Sequence, residues 1–200
     1  MATPKDFGFY GKGEGGGGGR YAPLRSAESH DRFRADLSRM IALLLAGRRR
    51  EAAGAGVSAQ GGEIASLPAF ALTDLDGRPV AWEDLSGRVV LVEFWATWCP
   101  PCHGTLAWLA EVKKRHGDRV VVIAPAVESD EADVRAMAAS LPGGIRWAMA
   151  SPDLARAFGD ISAVPTLFVF DGDGRAAGVF YGAPPGLQAE AEAAIATLLR

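Results

Sequence analysis

The 200 residues suit one compact domain with an appendage. A hydrophobic fraction of 48% and a charged fraction of 22% belong to a chain that buries a core, which excludes a disordered or coiled-coil protein. A net charge of −3 excludes the basic footprint of a nucleic-acid binder, and two cysteines exclude a disulfide-rich secreted scaffold.

Charge divides the chain near residue 67, with a net +3 over residues 1–67 and −6 over residues 68–200. Residues 1–25 predict a disordered tail, because Gly15 to Gly19 bury no side chain and lose the most backbone entropy on ordering. Residues 26–67 predict an amphipathic helix and a linker: Phe33, Leu37, Met40, Ile41 and Leu44 line one helical face, and Gly54 to Gly62 connect onward. That helix either packs on its own domain or docks a partner. Met40 to Ala46 falls far short of the roughly 18 to 20 apolar residues that span a bilayer, so no membrane span is expected. The opening residues lack the pattern of a secretory leader, so the expected location is cytoplasmic. A different N-terminus would open a periplasmic or membrane-associated one.

From Pro68 onward short apolar runs alternate with helical segments, the pattern of an α/β domain. Phe70-Ala71-Leu72 and Pro79 to Trp82 flank the turn signal Asp76-Gly77 and predict a hairpin. Val89 to Trp95 and Val120 to Ala124 predict central strands covered on both faces, with Leu106 to His116 as the helix between them. Asp130 to Leu141 predicts a helix ended by Pro142-Gly143-Gly144. Thr166 to Phe170 and Ala176 to Tyr181 predict an antiparallel hairpin around Asp171-Gly172-Asp173-Gly174, and Leu187 to Leu199 a closing helix.

Cys99-Pro100-Pro101-Cys102 stands where the first central strand passes into a helix. Reactive groups of α/β sheets gather at that end of the strands, and a helix N-terminus offers unpaired N–H groups and positive dipole to an anion. Cys99 is therefore placed as a stabilised thiolate nucleophile. Cys102, one turn further in, is expected to be more buried and to act as the resolving thiol. Pro100 and Pro101 suit a first helical turn, whose N–H groups need no partner within the helix. Chance would place two cysteines at this spacing in about one arrangement in a hundred. Zinc needs about four ligands, and His103 is the only nearby candidate, so no metal is expected. Dithiol exchange needs no organic cofactor either. Glu93 is a lone carboxylate in an apolar strand; alternation turns it inward, where desolvation raises its pKa and suits it to accept the proton of Cys102. Trp95 is expected in the core and Trp98 at the surface, with Trp82, Trp108 and Trp147 in the core. His103 tunes the thiols or is a solvated helix residue. Glu128, Asp130, Glu131 and Asp133 read as charge at a helix N-terminus.

Phe94-Trp95-Ala96-Thr97-Trp98-Cys99-Pro100-Pro101-Cys102 resembles the active-site segment of the thioredoxin superfamily, and is most similar to its TlpA-like (ResA-like) thiol-disulfide oxidoreductases. Asp76-Gly77 followed by Asp84-Leu85-Ser86-Gly87-Arg88 resembles the N-terminal extension of that branch. Ala163-Val164-Pro165-Thr166 resembles its cis-proline element, and Asp171 to Gly174 the hairpin after it. The resemblance covers residues 68–200. It implies a thioredoxin fold, a central mixed β-sheet flanked by helices with an N-terminal β-hairpin extension. It further implies a protein-disulfide oxidoreductase, expected as a monomer, whose partners are disulfide-containing protein substrates and an upstream thiol reductant. Under it, the Val164–Pro165 bond is cis beside the dithiol, the backbone of Val164 pairs with an extended substrate, Trp98 helps dock that substrate, and Glu93 holds the place of the buried acid. The chain departs from the pattern at Thr105, where many members carry an acid, and in lacking an export signal. Two other readings stand beside this one. The first is a peroxide-reducing redoxin, although the Pro-x-x-x-Thr-x-x-Cys context is absent around Cys99. The second is a non-enzymatic adaptor whose dithiol switches binding by the segment from Ser26 to Gly54.

Overall fold

The structure, a computed structural model, describes residues 64–200 together with Ala22–Pro23 and Asp31. Apart from these few positions, the tail, helix and linker expected before residue 64 lie outside the described residues.

The core of the fold is a mixed five-stranded sheet in the order β4-β3-β2-β6-β7. Strand β2 (Val89–Phe94) lies at its centre, parallel to β3 (Val120–Ala126) on one side and antiparallel to β6 (Thr166–Phe170) on the other. Strand β4 (Ile145–Met149) extends the parallel half, and β7 (Ala176–Tyr181) the antiparallel half. Every residue of β2, β3 and β6 is buried, which is why these strands read as unbroken apolar runs. Helix α1 (Pro100–His116) carries the chain from β2 to β3. Helices α2 (Glu131–Ser140) and α3 (Pro152–Ala157) flank β4 in sequence, and α4 (Leu187–Leu198) closes the chain. A separate two-stranded sheet pairs β1 (Ala22–Pro23) antiparallel with β5 (Ala163–Val164), placing Ala22 opposite Val164 and Pro23 opposite Ala163.

Apolar packing joins the sheet to its surroundings. Phe94 of β2, Phe168 of β6 and Phe158 just after α3 meet edge to face with centroids 5.1 to 6.1 Å apart. Trp95 is fully buried, stands edge-on to Trp147 at 5.4 Å and donates its indole N–H to the carbonyl of Ala124.

Several local expectations are corrected. Strand β4 and helix α3 were not predicted. Arg146 interrupts the apolar pattern of β4, and its place in the sheet depends on a partner 72 residues away. Helix α1 runs unbroken from Pro100, so the segment predicted as Leu106 to His116 is continuous with the first turn expected at the dithiol. The N-terminal hairpin is present but short: Thr73 bridges Pro79, the Val80 N–H donates to the Leu72 carbonyl at 2.8 Å and the Asp74 N–H to the Arg78 carbonyl at 2.9 Å. Its turn is further organised by the Asp74 carboxylate, which accepts the backbone N–H groups of Asp76 and Arg78. Trp82 is not a core residue: it is 48% exposed, and its indole packs against Gly174. That glycine has φ +78°, and a Cβ there would stand 2.9 Å from the indole. The contact requires glycine on both counts. Trp108 is half-buried, its indole N–H donating to Glu192 on α4.

The extension from residue 64 to 88 is fastened to both halves of the sheet. Its Leu75 N–H donates to the carbonyl of Trp147 on β4, while Leu67 donates to Gly174 and Ala65 accepts from Ala176 at the β6–β7 hairpin. Arg146 holds the first of these contacts in place. Its guanidinium donates to Asp74 at 3.1 and 3.2 Å, to Asp84 at 3.0 Å and to the carbonyl of Pro79 at 2.8 Å. Asp74 is 3% exposed in its side chain. Burial pushes its pKa up, but the N–H of Arg78 and the guanidinium of Arg146 outweigh this and hold the carboxyl below its ordinary value. Removing the guanidinium leaves that buried carboxylate with only the exposed Arg78, at 3.4 Å, as a charge partner. Arg146→Met should therefore lower stability by about 2 kcal/mol. Urea denaturation of the oxidised protein at pH 7 reads this directly, and an unchanged midpoint would show that the ion pair adds nothing.

Candidate active site

The dithiol is placed by the end of β2. After Phe94 the chain makes one further parallel bridge, Trp95 to Ala126, and then turns through Ala96 to Trp98 into α1. That turn is clamped from two sides. The Thr97 N–H donates to Ser129 Oγ at 3.0 Å, and His103 Nε2 donates to the Thr97 carbonyl at 2.9 Å. Trp98 donates its indole N–H to the carbonyl of Glu128 at 2.9 Å. Glu128 adopts φ +45°, a left-handed backbone uncommon outside glycine, and this conformation belongs to the loop that holds Trp98. His103 is thus tied to the loop, while Trp98 is half-buried and borders an open groove shared with Thr97, Asp133, Met137 and Ser140.

Cys99 is the N-cap of α1, and a disulfide joins it to Cys102 across a Cα–Cα distance of 5.4 Å. Two sequence expectations change here. Both cysteines are fully buried in this oxidised state, so the difference between them is one of position, N-cap against third helical residue, and not of exposure. The first turn also offers fewer donors than a usual helix N-terminus. Pro100 and Pro101 have no N–H, and the N–H of Cys102 is directed to the carbonyl of Cys99 at 3.0 Å. What remains to favour a Cys99 thiolate is the helix dipole.

Beneath this turn lies Glu93, buried to 0% exposure and opposite Leu167 in the β2–β6 register. Neither carboxyl oxygen has a hydrogen-bond partner of normal geometry. Burial pushes its pKa up to about 8, with the neighbouring Thr105 hydroxyl drawing it slightly back. Thr105 is the residue that sequence reasoning undervalued. It is buried, and its hydroxyl donates to the carbonyls of Pro101 and Cys102, each at 3.1 Å. It therefore joins Glu93 to the dithiol turn. Its spacing of three and four residues from those carbonyls was the available signal.

The third component arrives from β6. That strand begins at Thr166 opposite Phe94, so the residues just before it reach the same end of β2 from which the loop to Cys99 departs. The Val164–Pro165 peptide bond is cis, Val164 has no exposed surface, and the Pro165 carbonyl accepts the N–H of Gly182 at 2.8 Å. Glu128, Asp130, Glu131 and Asp133 gather at the start of α2, and no group of residues able to hold a metal occurs among the described residues.

Comparison with known proteins agrees with this geometry. Residues 63–195 match the Redoxin family. Thiol-disulfide oxidoreductase ResA of Bacillus thuringiensis (strain Al Hakam) is 30% identical over 110 residues, 54% of this chain and 63% of that protein. The chain thus matches just under two thirds of that relative's length. Thioredoxin-like protein YneN of Bacillus subtilis (strain 168) is 36% identical over 74 residues, 36% of this chain and 44% of that protein. Among solved structures, a thiol:disulfide interchange protein of the thioredoxin family from Chlorobium tepidum TLS superposes with a TM-score of 0.60 and 28% identity, covering 72% of this chain and 100% of that one. The exposed lipoprotein thioredoxin Etrx1 of Streptococcus pneumoniae strain TIGR4 gives 0.54 and 26%, over 64% and 98%. Because the match takes in the extension, all five strands of the main sheet and the dithiol between them, this chain belongs to the Redoxin family and is a TlpA/ResA-like member of the thioredoxin superfamily.

Proposed function

We propose that the protein is a thiol-disulfide oxidoreductase that exchanges electrons with disulfides of other proteins, and that Cys99 attacks and Cys102 resolves. The observation that carries this reading is the Cys99–Cys102 disulfide closed over the first turn of α1, at the carboxyl end of the central strand. In the reducing direction the Cys99 thiolate attacks one substrate sulfur, the substrate S–S bond breaks, and the other substrate sulfur leaves as a thiolate. Cys102 then gives up its proton and attacks Cys99. The mixed disulfide breaks, the second substrate thiolate departs, and the substrate has gained the two electrons that the dithiol has lost. An upstream thiol reductant restores the pair. A cytoplasmic location, expected from the sequence, favours this direction.

Glu93 is the proposed acceptor of the Cys102 proton. A carboxyl with a pKa of about 8 lies close to the ordinary thiol value near 8.5, so its ionised fraction, the minority form at pH 7, takes the proton at little cost. Thr105, bonded to the Cys102 carbonyl, keeps the helix turn in register with that carboxyl. For the substrate, the reading assigns the flat face of Trp98 as a docking surface and the backbone of Val164, ahead of Pro165, as an edge that pairs with an extended segment. Pro100 and Pro101 set the donor-poor turn between the two sulfurs.

Insulin reduction tests the assignment of the sulfurs. Cys102→Ser should accumulate a mixed disulfide with substrate on non-reducing gels, Cys99→Ser should not, and both should lose turnover by more than about a hundredfold. Wild-type turnover in Cys99→Ser would overturn the reading, and hydrogen peroxide consumption without insulin reduction would move the protein to the peroxide-reducing class.

A second expectation concerns pH. The folded-state pKa of Glu93 is raised above its unfolded value, so the native state holds the extra proton and stability is greatest at low pH. As pH rises from 4.5 to about 8, the oxidised protein should lose stability relative to Glu93→Gln at up to about 1.4 kcal/mol per pH unit. Neither cysteine titrates in the disulfide form, so urea midpoints of the two oxidised proteins across this window isolate the carboxyl. Parallel curves would show that Glu93 keeps an ordinary pKa. In the reduced enzyme, the same substitution should flatten the pH dependence of mixed-disulfide resolution.

A further inference from the structure

Strand β5 is two residues long and stands outside the five-stranded sheet. Its partner comes from the other end of the chain: Ala22–Pro23 lies antiparallel along it, Ala22 opposite Val164 and Pro23 opposite Ala163. This is the backbone edge that the proposed function assigns to an incoming protein substrate. A single extended segment fills such an edge, because each backbone N–H and C=O enters one ladder at a time. A proline fits there because an added edge strand does not need every one of its N–H groups to donate. In the same structure Ala163, Val164 and Cys99 are at most 1% exposed, whereas an exchanging sulfur has to be reached by another sulfur.

We infer that Ala22–Pro23 is an internal occupant of the substrate-pairing edge, a strap that competes with protein disulfides for the backbone of Ala163–Val164 and shields Cys99. The inference rests on the proposed function and adds a regulatory element to it. Attachment within one chain makes the contact effective despite its size, since an intramolecular segment acts at an effective concentration on the order of mM. A two-residue pairing is also weak enough for an extended substrate segment, which brings further side-chain contacts at Trp98, to displace it. The strap thereby raises the threshold for unselective encounters and leaves the chemistry at the dithiol unchanged.

The test keeps the full chain and weakens the strap by Ala22→Pro, which removes the N–H opposite Val164, and separately by the pair Ala22→Asp and Pro23→Asp. Two readouts follow: KM and kcat for insulin, and the rate at which iodoacetamide alkylates Cys99 in the reduced protein. A strap closed about four-fifths of the time lowers apparent affinity about fivefold. Both variants should therefore lower KM about fivefold with kcat unchanged, and speed alkylation by a similar factor. A synthetic peptide spanning residues 18–27, added in trans, should return both quantities toward the wild-type values. Equal KM and equal alkylation rates in wild type and both variants would overturn the strap. A failure of every protein to reduce insulin would instead count against the proposed function, and alkylation would still decide whether Ala22–Pro23 covers Cys99.

Discussion

Everything at the active end depends on β2 having neighbours of opposite direction. Its parallel partner β3 requires a crossover, and that crossover is α1, whose first turn carries the two sulfurs. Its antiparallel partner β6 must start where β2 finishes, so the residues before Thr166 are brought to the same end. Two segments more than 60 residues apart in sequence thus converge with no direct bond specifying the meeting. The pairing of Phe94 with Thr166 is sufficient, and a slip of one residue would turn Glu93 to the other face of the sheet.

The same burial that stabilises this strand determines the chemistry of its one acidic residue. A carboxyl at 0% exposure, opposite Leu167 in the sheet register and with no donor of normal geometry, is held in its neutral form near neutrality. A stronger donor set would lower its pKa and make it useless as a partner for a thiol. Thr105 supplies a mild influence because its proton is already directed to the backbone carbonyls of α1. Proximity without strong solvation leaves the carboxyl near the thiol range, and the cost of a buried acid is carried by the apolar sheet around it.

What could be seen in the sequence follows from whether its cause is local. Strands β2 and β3 are continuous apolar runs, the turn Asp171 to Gly174 is built by its own Asp171 carboxylate, and the Cys99 to Cys102 spacing stands alone in the chain, so each was legible. Strand β4 was not, because Arg146 looks like a surface residue until Asp74 and Asp84 are brought to it from the extension. Trp82 was placed wrongly for the related reason that its cover is a distant glycine. The β1–β5 pairing depends on contact between remote segments, and two residues carry no periodicity from which to infer a strand.

The extension has one more effect, on how the molecule meets its neighbours in solution. A mixed sheet ends in two margins, and a bare margin is a template for unwanted strand addition and aggregation. Leu75 bonds to Trp147 on the β4 side, and Ala65 and Leu67 engage the β6–β7 hairpin, so one continuous segment is hydrogen-bonded at both margins. Strand addition at those bonded positions is thereby blocked.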